Sequence, residues 1–264
     1  MDKKTPDSIS RWDGLYQECR AAFAALNFLT ILPINGNWLF SPQELGKSIA
    51  FYPIIGAVIG LLLLSVKSIL SLLFPSTVVI ALVIMFWSGI SGALHLDGLL
   101  DTCDGVFGGK NPEERLKIMK DELVGAFALI GGILIILIKY ISLEASVLID
   151  DKVLLLAPII SRWGMTLAIV IFPYARKEGL GYTIKQFTNW KQAAVATIFT
   201  IIIIFFISGT IGLIIIIFSV IIVLIIPYYL VKKINGLTGD NYGAINEIIE
   251  VWVLLVYMAT MKFI

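Results

Sequence analysis

Charge is scarce in this chain. Of its 264 residues, 15% are charged and 58% are hydrophobic, where an ordinary soluble domain carries about 25% charge. The mean hydropathy of +0.93 agrees. Together these values exclude a solvated globule and a disordered chain. Histidine occurs once, as His95, and cysteine twice, as Cys19 and Cys103. That excludes histidine-cluster metal centres, zinc sites and a disulfide framework. The net charge of +1 provides no basic field for nucleic acid. Residues 1–20 are polar, without an apolar stretch, which predicts no cleavable signal peptide and a polar cytoplasmic N-terminal segment.

What is present is apolar sequence in long runs. A crossing helix needs roughly 20 apolar residues. Runs at 49–74, 78–94, 124–138, 153–172 and 244–264 each predict one crossing. The run 193–230 is nearly two membrane thicknesses long and must fold back at its only break, Ser208-Gly209-Thr210. The expectation is an all-α polytopic integral membrane protein with about seven transmembrane helices. A shorter apolar segment, 21–34, ends at Pro33 and reads as an interfacial or re-entrant helix. Fifteen of the 20 lysines and arginines fall on one side, in the N-terminus, at Lys47 and in the loops 95–123, 173–192 and 231–244. The positive-inside rule makes that side cytoplasmic. Lys67, Lys139, Lys152 and Lys262 fall on the other side, and Arg162 lies within a span. Without repeats or linkers, 21–264 reads as a single membrane domain in the cell membrane.

The densest polar sequence is HLDGLLDTCDGVFGGK, residues 95–110. Asp97, Asp101 and Asp104 follow an i, i+4, i+7 spacing, which puts all three on one helical face. Three carboxylates so close repel one another unless a cation neutralises them. Oxygen ligands without cysteine or histidine favour Mg²⁺ or Mn²⁺, and Mg²⁺ brings phosphate oxygens with it. The pattern is similar to the spaced aspartates of membrane enzymes that transfer a phosphoalcohol from a nucleotide diphosphate. The plainer alternative is a helix end that places its acids in water.

Other candidates share that side of the membrane. Asp121 follows Lys117 and Lys120. Arg162, deep in a span, needs a partner or an anion, and Arg176 sits at a membrane edge. Asp240, Asn246, Glu247 and Glu250 lie at or within the last helix. As general bases, Asp240 and Glu247 rank above His95, which on a continuous helix points away from the aspartate face. Asp121 is a fourth candidate. Two other classes of function compete: a secondary transporter with Arg162 and Glu247 as an ion relay, and a membrane scaffold with purely structural acids.

In combination, these segments resemble the cobalamin synthase family, the adenosylcobinamide-GDP ribazoletransferases. HLDGLLDTCDG is similar to that family's HLDGLADTxDG. FLTILPI (28–34), FYPIIGAVIG (51–60), LKIMKD (116–121), SRWGM (161–165), FPYARKEGLG (172–181) and LTGDNYGAINE (237–247) follow in order. The resemblance covers about residues 20–262. It implies an all-helical membrane bundle that joins adenosylcobinamide-GDP to α-ribazole or its 5′-phosphate and releases GMP. It also implies Mg²⁺ on Asp97, Asp101 and Asp104, and substrate contacts from Arg162, Arg176, Lys120, Thr238 and Asn246. The implied surroundings are the lipid bilayer, a cytoplasm-facing site and no nucleic acid. A homo-oligomer or a complex with other corrinoid-pathway enzymes is left open. The chain departs from the family pattern at Ile31 and Leu123, where that pattern has arginine, and at Glu122, where it has serine.

Overall fold

The computed structural model describes residues 11–33 and 39–262. Residues 1–10 of the expected N-terminal segment, and Ile34 of the FLTILPI motif, lie outside the described residues. Eleven α-helices are found among the described residues: α1 (Arg11–Leu29), α2 (Pro42–Ser48), α3 (Tyr52–Leu70), α4 (Ser76–Ile90), α5 (Leu94–Gly108), α6 (Pro112–Ile118), α7 (Ala126–Val147), α8 (Val153–Ile171), α9 (Leu180–Gln186), α10 (Trp190–Ile234) and α11 (Gly239–Met261).

Local sequence sets several of these boundaries. Ser41 and Glu44 form a capping box with Pro42 at the first turn of α2. Asn189 with Gln192, and Thr238 with Asn241, start α10 and α11 in the same way. Each box satisfies amide groups that would otherwise lack partners at a helix start.

Five helical stretches are long and apolar enough to cross a membrane, and α4 with α5 makes a sixth if that bent pair counts as one span. The all-helical membrane architecture is thus as expected, whereas the structure does not fix seven as the number of crossings. α4 alone is short, with 15 residues, and α5 leaves it at 86°. The turn between them uses left-handed backbone at Gly92 and Ala93, φ 60° and 58°. The expected loop 95–123 is therefore largely helical. α10 is broken at Gly209, φ 56° and ψ −135°. A Cβ on Gly212 would lie 2.5 Å from the Ile204 side chain, although eight residues of straight helix span about 12 Å. The chain reverses at the break anticipated from the sequence.

α3 packs along α8 through Gly56 and Gly60, one turn apart. A Cβ at either position would come within 2.4 and 2.8 Å of the carbonyl oxygens of Pro158 and Leu154. FYPIIGAVIG is thus a small-xxx-small seam, the usual device for close helix packing in lipid. α1 differs from the sequence expectation by starting in the polar stretch, at Arg11. Its buried Ala21, Ala24, Ala25 and Leu29 form one face, and Arg20 pairs with Glu44 of α2.

A charged cluster lies inside the bundle. Lys139 of α7 contacts Glu247 at 2.6 Å and Glu250 at 2.5 Å, both on α11. Arg162 of α8 pairs with Glu250. Trp87 of α4 donates its indole N–H to Glu250 at 3.1 Å, and the Lys139 ammonium lies 4.7 Å from the Trp87 ring centre. This corrects the placement of Lys139 outside the membrane: α7 continues to Val147, and Lys139 shares its buried face with Ser142 and Ser146. Two cations and two carboxylates offset one another where an isolated charge costs about 2.5–3.5 kcal/mol or more.

Removing one member leaves its partners buried and uncompensated, a loss of about 3–5 kcal/mol. Lys139→Met should lower the melting temperature of the detergent-solubilised protein strongly, and adding Glu247→Gln should recover part of the loss. Wild-type melting of the single variant would show that the cluster does not hold the helices together.

Candidate active site

The site forms where the start of α11 meets α5. The segment after α8 and the segment before α11 are joined by two backbone bonds. Ala175 N–H donates to Leu237 C=O and Leu237 N–H donates to Pro173 C=O, each at 2.8 Å. This two-bond bridge brings Arg176 to Asp240, with an N–O distance of 3.0 Å. Thr238 is buried and caps α11, and Asn241 donates to Thr102 of α5 at 2.9 Å. α5 can approach because Gly98 lacks a side chain: a Cβ there would lie 2.5 Å from the Asp240 carbonyl oxygen.

Three neighbouring recesses surround this junction. The first, of about 340 Å³, is acidic, with Asp97, Asp101, Asp104, Asp121 and Glu122 on its wall beside Lys120. The second, of about 450 Å³, carries Lys117, Lys120, Arg176 and Lys177 against Glu113 and Glu178. The third, of about 300 Å³, is walled by Phe28, Tyr52, His95, Tyr174 and Tyr242, with Asp97, Arg176 and Asp240 also on its lining. Lys120 belongs to the acidic and cationic recesses, Arg176 to the cationic and aromatic ones, and Asp97 to the acidic and aromatic ones. Tyr174 stands against Gly181. Burial raises its phenol above the usual range, so it stays a neutral wall group.

The three α5 aspartates differ in their surroundings. Asp97 is exposed and Asp101 is half-buried. Asp104 is buried and accepts the N–H groups of Gly125 at 2.6 Å and Ala128 at 2.8 Å. It therefore caps the start of α7 as well as lining the acidic recess. No group of three His, Cys, Asp or Glu is gathered as a ready metal cage among the described residues. Mg²⁺ ordinarily takes one or two carboxylates and completes its shell with water and substrate phosphate. Asp97 and Asp101 fit that requirement.

The remaining candidates separate by depth. Lys120 reaches Glu178 at 3.3 Å. The Asp121 carboxylate accepts the Leu123 N–H at 3.2 Å. Arg162 and Glu247 are on the lining of none of the three recesses and belong to the charged cluster. Asn246 joins that cluster to His95, its amide nitrogen lying 3.1 Å from Glu250 Oε1 and 3.2 Å from His95 Nδ1. Leu123, at 81% exposure, stands on the wall of the acidic recess. Ile31 is tied to the α4–α5 turn by its N–H, which donates to Ile90 C=O at 2.8 Å. Sequence reasoning missed Lys139 and the aromatic recess. A signal for the recess was present, since Tyr52, Tyr174 and Tyr242 each lie within a motif noted for its glycines or charges.

A helix cap contributes about 1 kcal/mol. Asp104→Ala should accelerate amide hydrogen exchange at the start of α7, residues 125–129, whereas Asp97→Ala should leave exchange there unchanged. Equal exchange in both variants would remove the capping role.

Comparison with known proteins extends the resemblance over most of the chain. Residues 21–258 match the model of the family described as cobalamin-5-phosphate synthase. An adenosylcobinamide-GDP ribazoletransferase of Geotalea daltonii is 33% identical over 240 residues, covering 91% of this chain and 97% of that protein. The enzyme of the same name from Syntrophobacter fumaroxidans is 36% identical over 234 residues, covering 87% and 94%. That from Pseudomonas syringae pv. syringae is 37% identical over 233 residues, covering 88% and 96%. No solved structure matches the chain. The resemblance carried by HLDGLLDTCDG and its companion motifs is borne out, and the chain belongs to the cobalamin-5-phosphate synthase family.

Proposed function

We propose that this chain is a Mg²⁺-dependent transferase that joins adenosylcobinamide-GDP to α-ribazole or its 5′-phosphate in the last assembly step of cobalamin. The observation that carries the residue assignment is the meeting of an acidic and a cationic recess at Lys120, beside Asp97. A diphosphate ester calls for both: cations for its oxygens, and carboxylates that would hold a divalent metal beside them.

Asp97 and Asp101 would hold Mg²⁺, which would supply charge neutralisation for the diphosphate. Lys120 and Arg176 orient the phosphate oxygens from the cationic side. The ribazole hydroxyl oxygen attacks the phosphorus that bears the cobinamide. The bond from that phosphorus to the GMP oxygen breaks, and GMP carries away the electron pair. Asp240, on the aromatic recess and beside Arg176, takes the hydroxyl proton. This assignment moves the base away from Glu247 and the phosphate clamp away from Arg162, which are buried in the charged cluster, paired with Lys139 and Glu250 respectively, and line none of the recesses. The same two ion pairs weigh against an ion relay, since each candidate relay charge already has a fixed partner. Chain topology is proposed as seven crossings, α4 and both arms of α10 each counting as one, with the recesses facing the cytoplasm of the cell membrane.

The purified protein, given adenosylcobinamide-GDP, α-ribazole and Mg²⁺, should release GMP, and EDTA should stop the release. Asp97→Ala and Asp240→Asn should each lower turnover by about a hundredfold or more. Arg176→Lys keeps the charge but loses the two-pronged geometry, so it should also fall. A folded protein that releases no GMP, or one indifferent to EDTA, would overturn the reading.

Orientation has its own check. A cysteine placed at Lys110 should resist an impermeant thiol reagent in intact cells and react once the membrane is opened. Labelling from outside intact cells would reverse the topology.

A further inference from the structure

We propose that the aromatic recess seats the base of the incoming nucleoside. It would select a flat, largely apolar heteroaromatic that presents a hydrogen-bond acceptor to His95 and Tyr242. This rests on the transferase reading above and assigns one recess to one half of the reaction.

The tautomer of His95 carries the argument. The Asn246 amide nitrogen lies near both Glu250 Oε1 and His95 Nδ1. Glu250 is an acceptor only, so it fixes the –NH₂ end of the amide towards itself. The second amide hydrogen then points at Nδ1, which must accept it. The imidazole proton therefore resides on Nε2. That atom is buried without a partner among the described residues, in a side chain only 2% exposed that lines the recess. The Tyr242 hydroxyl is likewise buried without a partner, in a residue 5% exposed. A buried donor left unpaired is costly, and a ligand acceptor would offset that cost.

The rest of the recess narrows the ligand. Phe28, Met165 and Ile169 supply apolar walls, and Tyr52 adds a further buried hydroxyl without a hydrogen-bond partner among the described residues. The volume of about 300 Å³ suits one nucleoside and is too small for a corrinoid ring. A benzimidazole linked to ribose has one free ring nitrogen, an acceptor, and no N–H. Guanine offers acceptors at N7 and O6 beside its N–H donors, so GMP belongs among the probes that decide which base enters the recess. Asp97 and Asp240 lie at the more exposed part of the lining, where carboxylates can accept from sugar hydroxyls. Asp97 also borders the acidic recess. A nucleoside with its base innermost thus turns its ribose towards the phosphorus.

The test uses the full chain in lipid nanodiscs and equilibrium calorimetry. The probes are the benzimidazole riboside, an isosteric indole riboside with C–H in place of the free ring nitrogen, and GMP. Wild type should bind the benzimidazole riboside roughly tenfold more tightly than the indole riboside. His95→Phe should erase most of that preference, Tyr242→Phe should reduce it, and both should leave GMP affinity unchanged. Equal affinity of wild type for the two ribosides would overturn the proposal, and that comparison stands even if a variant fails to fold. Loss of GMP binding in His95→Phe would overturn it too, by giving the recess to guanine. Selective riboside binding without any GMP release would leave this inference standing and remove the transferase reading. GMP release at equal rates from both ribosides would do the reverse.

Discussion

Glu250 sets the arrangement of the bundle. A single carboxylate with no measurable exposure receives Arg162 from α8, Lys139 from α7, the Trp87 indole from α4 and the Asn246 amide from its own helix. In lipid, two apolar helix faces gain little by meeting, because the acyl chains are as apolar as the side chains. Charges that must find one another supply what the hydrophobic effect cannot. Each partner also fixes the rotation of its helix, since turning α7 or α8 would drive an ammonium or a guanidinium into hydrocarbon. The cluster thus defines which face of each helix points inward, and the glycine seam between α3 and α8 fixes how closely two of them approach.

The chemistry is built at the edge of this frame rather than inside it. α5 leaves α4 at a right-angled turn, so its aspartates lie beside the starts of α7 and α11. Helix starts carry free N–H groups and a partial positive charge, which accommodates Asp104 at α7. Two short segments flank the site, joined by a pair of backbone bonds, and they present a cation and an acid from different parts of the chain side by side. Positioning of this kind is what phosphoryl transfer requires, since the protein has little covalent work to do.

Much of this was legible in the sequence. Long apolar runs announced the crossing helices, and Gly209 announced the reversal within α10. The aspartate spacing placed three acids on one face. Lys139 was misread because an apolar run interrupted by a lysine looks like the end of a span. Only the polar stripe of Ser142 and Ser146 beyond it reveals that the helix continues inward. Arg162 and Glu247 were recognised as charges needing partners, but a sequence does not say which partner is chosen, and the structure pairs them with Glu250 and Lys139. Asp104 was read as one of three equals, because its second task is set by a helix start 21 residues further on. The aromatic recess was hidden because its walls come from separate stretches of chain, whose glycines and charges drew the reading away from the tyrosines among them.

α11 carries both ends of this design. Asp240 stands at the site and Glu250 at the centre of the charged cluster, ten residues or about 15 Å apart along one helix. Asn246 and His95 lie between them and pass the constraint sideways to α5. The helix therefore works as a ruler, with the bilayer-embedded ion cluster as its zero mark. Its length between the two acids is a fixed quantity in a way that the lengths of the surrounding loops are not. An inserted or deleted residue there would rotate Asp240 by about 100° relative to the anchored end, so the site can vary in its side chains but not in its distance from the anchor.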